Sequence, residues 1–366
     1  VTISRNNTSY GTVSSNSVSV PYGTTYSVSG NVLTFSNGTK VTATVSNATG
    51  YTTTFSSWSP SSGTITGNTT ITANFSRTIN NYTVTISRNN TSYGTVSSNS
   101  VSIPYGTTYS VSGSTLTFSN GTKVTASPTA ATGYTTTFSS WSPSSGTITG
   151  ATTITANFNR SINVCSITYD ANGGVFGGSL ANGKTTYTDT LRYDSVGYQD
   201  TDGMGDANGG TFSATKTGYT PKPGAEWIKG TKTYNQSSKY KPTDFCPNLA
   251  TKSESVTLKV NWKVNTCSIT YDANGGVFGG SVANGKTTHT VTREYGNAGY
   301  PNSMPDANGG TYAATKSGYI PKKSAEWIKG TKTYNQDSGY KLTDFCPNLA
   351  TKSESVTLKV NWEALT

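Results

Sequence analysis

Internal duplication constrains this chain more than any other feature. Val1–Arg77 aligns with Val84–Arg160 at a constant offset of 83, without a gap. Cys165–Trp262 aligns in the same way with Cys267–Trp362, at an offset of 102 that becomes 100 from Met204 and Met304 onward. Self-similarity at a fixed period means that the chain is built from repeated folding units. Four domains follow, at residues 1–79, 80–160, 161–263 and 264–366. In the second pair Asp-Ala-Asn-Gly-Gly occurs four times, at Asp170–Gly174, Asp206–Gly210, Asp272–Gly276 and Asp306–Gly310. An Asp or Asn followed by Gly supplies the positive-φ positions of a tight β-hairpin or bulged turn.

The stretches between turns alternate. In the first copy Tyr26, Val28, Leu33, Phe35, Val41, Ala43 and Val45 stand apolar between Ser and Thr, the period of a half-buried strand. Asn37-Gly38 marks a hairpin between Leu33–Phe35 and Val41–Val45. No ten-residue stretch shows a helical period. The expected fold is all-β, an elongated tandem array of four small antiparallel β-domains, each a β-sandwich or β-grasp-like. Hydrophobic residues make up only 32% of the chain, too few for one large core and adequate for several thin ones. Aromatics at 11% argue against disorder. The connector Ser76–Asn81 contains neither Gly nor Pro, so it should limit the freedom between copies, as in a stiff stalk. Asp189–Gly205 and Thr290–Pro305 differ most between the Cys-containing copies and read as loops.

Residues 1–160 contain no His, Cys, Asp or Glu. That excludes carboxylate acid–base catalysis, metal cages and Cys nucleophiles there. The net charge of +10 includes six basic residues in this half, Arg5, Lys40, Arg77, Arg88, Lys123 and Arg160, which are scattered rather than clustered. A nucleic-acid binder would gather them on one face, so nucleic acid is not an expected partner. No apolar run approaches the length that spans a bilayer, and direct membrane insertion is not expected. The chain opens inside a strand-like run, Val1-Thr2-Ile3, and reads as a fragment or processed segment of something longer. Sequons at Asn37, Asn68, Asn74 and Asn120 are frequent, as chance provides in a chain so rich in Asn, Ser and Thr.

The four cysteines sit two per copy, Cys165 and Cys246, then Cys267 and Cys346. They allow three pairings. A module duplicated as a unit should carry its own closure, which favours Cys165–Cys246 and Cys267–Cys346. Neither the close pairs of a zinc site nor a Cys-x-x-Cys redox motif is present. Disulfides imply an oxidising, extracellular setting.

Trp227, Trp327, Trp262 and Trp362 recur at matched positions and read as core. Tyr198, Tyr234 and Tyr240, in or near loop-like sequence, are the candidates for ligand binding by stacking. Asp200, Asp202, Asp206 and Asn208 have the alternate spacing of a calcium loop, but the second copy lacks the first two acids, so no metal is expected. His289 aligns with Tyr187 and reads as a solvated strand residue. Glu226, Asp244 and Glu254 read as solvated faces or surface ion pairs. Lys259, Asn261 and Glu254 supply the residue types of an internal Lys–Asn cross-link. No catalytic residues and no cofactor are expected.

Tyr169–Gly174, Asp206–Phe212, Lys216–Tyr219 and Val256–Trp262, in that order, resemble the Listeria–Bacteroides repeat, a small β-module of bacterial cell-surface proteins. The second copy matches through Asp306–Tyr312, Lys316–Tyr319 and Val356–Trp362. Residues 1–160 are similar to a divergent internalin-type B-repeat, through Gly11–Val13, Gly23–Tyr26, Gly50-Tyr51, Phe55–Trp58 and Thr70–Phe75. These resemblances imply the repeat region of an extracellular adhesin or surface stalk, without enzymatic activity. The implied partners are a host or cell-surface glycan or protein receptor, or like copies in an array or filament. The competing expectation is an array of carbohydrate-binding modules.

Overall fold

Alternation of Ser and Thr with apolar residues becomes strand along most of the chain: strand accounts for 51% and helix for 4%, which settles the class as all-β. The computed structural model describes residues 1–194, 205–235, 240–297, 304–336 and 339–366. They form two units, one of Val1–Ala131 with Thr135–Ser161, the other of Thr132–Tyr134 with Ile162–Thr366. Four hydrophobic clusters form, each drawn from one sequence copy. Each copy therefore buries its own core, as the duplication requires.

In the first unit each copy is a two-sheet sandwich. Thr2–Arg5, Thr70–Ile79 and Tyr51–Ser59 form one sheet of the first copy, and Gly11–Val13, Lys40–Val45, Val32–Phe35, Thr25–Ser29 and Gly63–Thr64 form the other. Ile71, Ala73, Phe75 and Trp58 from the first sheet meet Tyr26, Leu33, Phe35, Val41 and Ala43 from the second. The alternation thus points inward at the positions expected. The Asn37-Gly38 hairpin also forms, with Leu33 opposite Val41 and Gly38 at φ 93°.

In the second unit each copy has a five-stranded sheet, the grasp-like form. In the first copy its order is Thr186–Arg192, Val164–Asp170, Glu254–Val260, Trp227–Lys229, Lys232–Tyr234. Two short strand pairs accompany it, Val175–Phe176 with Ala214–Thr215 and Tyr219–Pro221 with Trp262–Val264. Trp227 is fully buried in contact with the rings of Tyr169, Phe176 and Phe212. Both disulfides join the residues expected, Cys165 to Cys246 and Cys267 to Cys346. Each ties the first strand of its repeat to the turn that precedes the last long strand.

Three expectations need correction. The sheets are mixed, not purely antiparallel. In every copy the first strand runs parallel to a strand near the end of the copy: Thr2–Arg5 beside Thr70–Ile79, Asn81–Arg88 beside Thr152–Ile162, Val164–Asp170 beside Glu254–Val260, and Thr266–Asp272 beside Glu354–Val360. Alternation gives the period of a strand but not the direction of its partner. Second, Asp189–Gly205 and Thr290–Pro305 are not loops from their start. Thr186–Arg192 and Thr288–Glu294 are strands on the edge of the main sheet, where one pairing partner suffices and side chains vary freely. Third, the first Asp-Ala-Asn-Gly-Gly is not a hairpin turn. It carries the chain from the main sheet at Asp170 to Val175, which pairs elsewhere, with Thr215.

The connector between the first two copies shrinks to one residue. Strand Thr70–Ile79 ends, Asn80 follows, and strand Asn81–Arg88 begins. Asn80 N–H donates to Gly50 O at 2.8 Å, the Thr52 hydroxyl donates to Asn80 Oδ1 at 2.6 Å, and Tyr105 N–H donates to Asn80 O at 2.8 Å. Gly50 lies at φ 82°, and a Cβ on it would overlap the Tyr105 ring. Within the second unit Asn265 repeats the arrangement. Its N–H donates to Gly218 O at 2.8 Å, its Oδ1 accepts from Thr220, its Nδ2 donates to Leu349 O at 2.8 Å, and its O accepts from Tyr295. Gly218, at φ 81°, is closed over by the Tyr295 ring in the same way. A left-handed residue without a side chain is what lets an aromatic ring from the next copy sit against the backbone.

Replacing both Cys165 and Cys246 by Ala should cost about 4–5 kcal/mol if the chain-entropy account holds for a loop of this size. Denaturant unfolding of the full chain should show a lower midpoint for the second unit and an unchanged one for the first.

Candidate functional site

A groove opens beside the first Asp-Ala-Asn-Gly-Gly turn of the first Cys-containing repeat. The Asp170 carboxylate accepts the Asn172 N–H at 2.8 Å, and Asn172 and Gly173 take φ values of 51° and 84°. The turn is pinned from behind. Asn172 Nδ2 donates to Val260 O at 3.0 Å, and Trp262 Nε1 donates to Ala171 O at 3.0 Å and Asn172 O at 3.1 Å. Gly174 packs so closely that a Cβ would stand 2.5 Å from Thr215 O. A recess of about 490 Å³ results, lined by Gly173, Gly174, Asn208, Lys216, Tyr219 and Pro221, with Ala350 and Thr351 from the following repeat. The second repeat has a counterpart of about 540 Å³ around Asn308, Lys316, Tyr319 and Pro321.

Lys216 is the charged group of the groove. Its Nζ lies 4.6 Å from the centre of the Tyr219 ring and 6.0 Å from that of Trp262, and donates to Asn172 O at 3.4 Å. Lys316 repeats this with Tyr319, Trp362 and Asn274. An ammonium held over an aromatic face leaves some of its N–H groups for a ligand. With a tyrosine ring and backbone carbonyls alongside, the groove suits a hydroxylated or anionic ligand lying across it. The sequence signal for it is Lys-x-Gly-Tyr, present in both copies.

Tyr234 and Tyr240, two of the tyrosines singled out by sequence, are not among the residues that line this groove. Tyr234 is 3% exposed, packed on Tyr240 and Phe245. As a core residue it has no free face for a sugar, which corrects the expectation. Tyr240 is half-buried against the same cluster. Tyr198 lies outside the described residues, as do Asp200 and Asp202 of the calcium-like spacing. Asp206 uses one carboxylate oxygen to accept the Asn208 N–H at 2.8 Å. Among the described residues no group of three or more His, Cys, Asp or Glu converges. No helix among them is long and apolar enough to cross a membrane.

Of the acids expected on solvated faces, Asp244 is exposed and Glu254 half-buried, as expected, whereas Glu226 is not, and all three bond to the backbone. Glu226 is buried, with Oε1 accepting the Gly224 N–H at 3.1 Å, and Glu326 does the same for Ser324. Asp244 accepts the Lys241 N–H at 2.7 Å, closing the first turn of the short helix Pro242–Phe245. Glu254 accepts from both the backbone N–H and the side chain of Asn248, at 2.7 and 2.8 Å. Lys259 is exposed, and Asn261 Nδ2 donates to Ala225 O. The proposed cross-linking residues are therefore engaged separately, whereas a cross-link needs them buried together. His289 stands on strand Thr288–Glu294, half-buried 5.5 Å from the Tyr312 ring, so it is a strand residue but not a fully solvated one.

Hydrogen bonds from Asn248 hold the Glu254 carboxyl below its ordinary value, helped by the charges of Lys252 and Lys229, and Asn348 acts likewise on Glu354. A depressed folded-state value means that the tie is fully present above the range of an unfolded carboxyl. It is lost as pH falls through the lower folded value. The Asn248 side-chain amide resonances should shift with that titration, and Glu254→Gln should remove the shift. In the groove, Lys216→Ala with Lys316→Ala should abolish whatever glycan-array signal the full chain gives, while leaving its unfolding midpoint unchanged. A signal that survives would place the binding elsewhere.

No family model matches the chain, and no curated protein matches it. Among solved structures, the Bacillus anthracis TIE protein is similar over 91% of this chain and 57% of that one, at 9% identity and a TM-score of 0.23. The chain thus spans well under two thirds of that structure.

Proposed function

We propose that this chain is a stretch of an extracellular bacterial surface protein, in which the repeats act as an adhesin stalk or structural spacer and perform no chemistry. The observation that carries the reading is the way copies are joined. A first strand parallel to a late strand makes the chain enter a repeat at one end and leave at the other. The next copy then begins after a single fixed residue, Asn80 or Asn265, rather than after a flexible linker. Stability in the open is supplied by a core in each copy and by a disulfide in each of the last two. Such disulfides belong to oxidising compartments, and the Listeria–Bacteroides and B-repeat resemblances supply the cell-surface context.

A second reading, carbohydrate binding, is favoured by the duplicated Lys–Tyr groove. It is compatible with the first, since a spacer can carry weak sites along its length and gain avidity from repetition.

The spacer reading predicts a fixed distance between neighbouring copies. Spin labels on Lys40→Cys and Lys123→Cys, both exposed, should give a narrow distance distribution in the full chain. A short Gly-Ser insertion after Asn80 should broaden it. A broad distribution in the chain without the insertion would rule the spacer out.

A further inference from the structure

Among the described residues the buried carboxylates are Glu226 and Glu326, 6% and 3% exposed. In each, Oε1 accepts a backbone N–H, from Gly224 and from Ser324, at 3.1 Å. Oε2 is enclosed as well, yet it has no hydrogen-bond partner in either copy. No lysine or arginine among the described residues forms an ion pair with either acid. A buried charge is held by an opposite charge or by a metal ion, and the side chains around Glu226 do not supply the first.

A second oxygen-bearing segment is tied against each of these acids. Trp227 Nε1 donates to Gly205 O at 2.6 Å, so the residue after Glu226 grips the residue before Asp206. Trp327 and Pro305 repeat the tie. Asn208 then reaches both carboxylates. Its N–H donates to Asp206 Oδ1 at 2.8 Å, and its side-chain amide stands 3.5 Å from Glu226 Oε1. In the second copy Asp306 accepts the Asn308 N–H at the same 2.8 Å. The set persists while its surroundings change. Gly205 becomes Pro305, Pro223 becomes Lys323 and Gly224 becomes Ser324, whereas Asp206, Asn208 and Glu226 recur unaltered. Ser324 keeps the left-handed turn, at φ 63° against 72° for Gly224, so its N–H still meets the acid.

We propose that each Cys-containing repeat binds a calcium ion, through Glu226, Asp206 and Asn208 in the first copy and through Glu326, Asp306 and Asn308 in the second. The donors are the oxygens of two carboxylates and an amide, with neither His nor Cys, which suits a hard cation rather than zinc or copper. Calcium takes about six to eight oxygens and accepts backbone carbonyls and water among them, so two acids suffice. The Asn208 amide carries an acceptor oxygen beside its nitrogen, and a half-turn presents it to the ion. The ion neutralises Glu226 and ties the segment that starts at Asp206 to the turn at residues 221–227. Asn208 also lines the groove that holds Lys216, so the ion steadies one wall of that groove. This set does not use the calcium-like spacing of Asp200 and Asp202, which the second copy lacks.

Terbium luminescence on the full chain, stripped of divalent ions with EDTA, tests this. Trp227 and Trp327 follow Glu226 and Glu326 directly in the chain, so exciting them should sensitise terbium held there. The unaltered chain should give a saturable signal that calcium displaces. Glu226→Gln should halve it, and Glu226→Gln with Glu326→Gln should abolish it. Glutamine keeps an oxygen for the Gly224 and Ser324 N–H groups, so the fold should survive the change. If it does not, Asp206→Asn with Asp306→Asn keeps the turn and should weaken terbium binding about tenfold or more, since even an indirect partner of a metal costs that much. A signal that survives both sets of changes would place the ion elsewhere and overturn the proposal. So would a signal that calcium leaves untouched. A chain that binds no terbium up to about 1 mM, the weak end for extracellular calcium modules, would also overturn it, and would leave water or a proton on Oε2.

Discussion

The parallel pairing of first and late strands is the interaction on which the rest of this molecule depends. It brings the two ends of each copy into one sheet while keeping them pointed in the same direction. A hairpin-closed module would return the chain to its starting edge, and the next copy would have to find its way past the last. Here the exit lies at the opposite end of the sheet from the entry, so an identical copy can begin at once. The single-residue connectors Asn80 and Asn265 are a consequence of that pairing. So is the recurrence of one Gly–Tyr contact wherever copies meet within a unit.

Stability is distributed in the same modular way. The sandwich copies rely on alternating strands whose inner faces are small and regular, with Leu33, Phe35, Val41 and Trp58 at the centre of the first. The grasp-like copies bury more aromatics, Trp227, Tyr169 and Phe212 among them, and add a disulfide across a separation of 81 residues in the first and 79 in the second. Their loops are longer and their short strands only two or three residues. A cross-link that shortens the unfolded chain offsets that extra loop entropy. The groove sits where these longer excursions fold back over the main sheet, so the sheet supplies rigidity and the excursion supplies chemistry.

The Asp-Ala-Asn-Gly-Gly segments show how far local sequence reaches. All four begin alike, with the Asp carboxylate accepting the N–H two residues on. That turn is local chemistry and is legible in the residues. Beyond it the copies part. At Asp170 the left-handed positions are Asn172 and Gly173, whereas at Asp206 Gly209 is extended and Gly210 is left-handed, leading into a 3₁₀ turn through Phe212. The same five letters take two shapes because Trp262 and Val260 hold the first, while Phe212 turns into the core in the second.

Sequence alone determined what is local or periodic: the duplication, the β class, the inward positions of each strand, the Asn37-Gly38 hairpin and the cysteine pairing. Each follows from a spacing or from the need of a copied unit to be complete in itself. The tertiary fold decided what depends on contacts across long separations. Strand direction is one such property, because the alternation of a strand is the same whichever way its neighbour runs. The burial of Tyr234 and Glu226 is another, since a residue type near a turn does not reveal which elements close over it. Lys216, Tyr219 and Asn172 become neighbours only when the chain returns across more than forty residues.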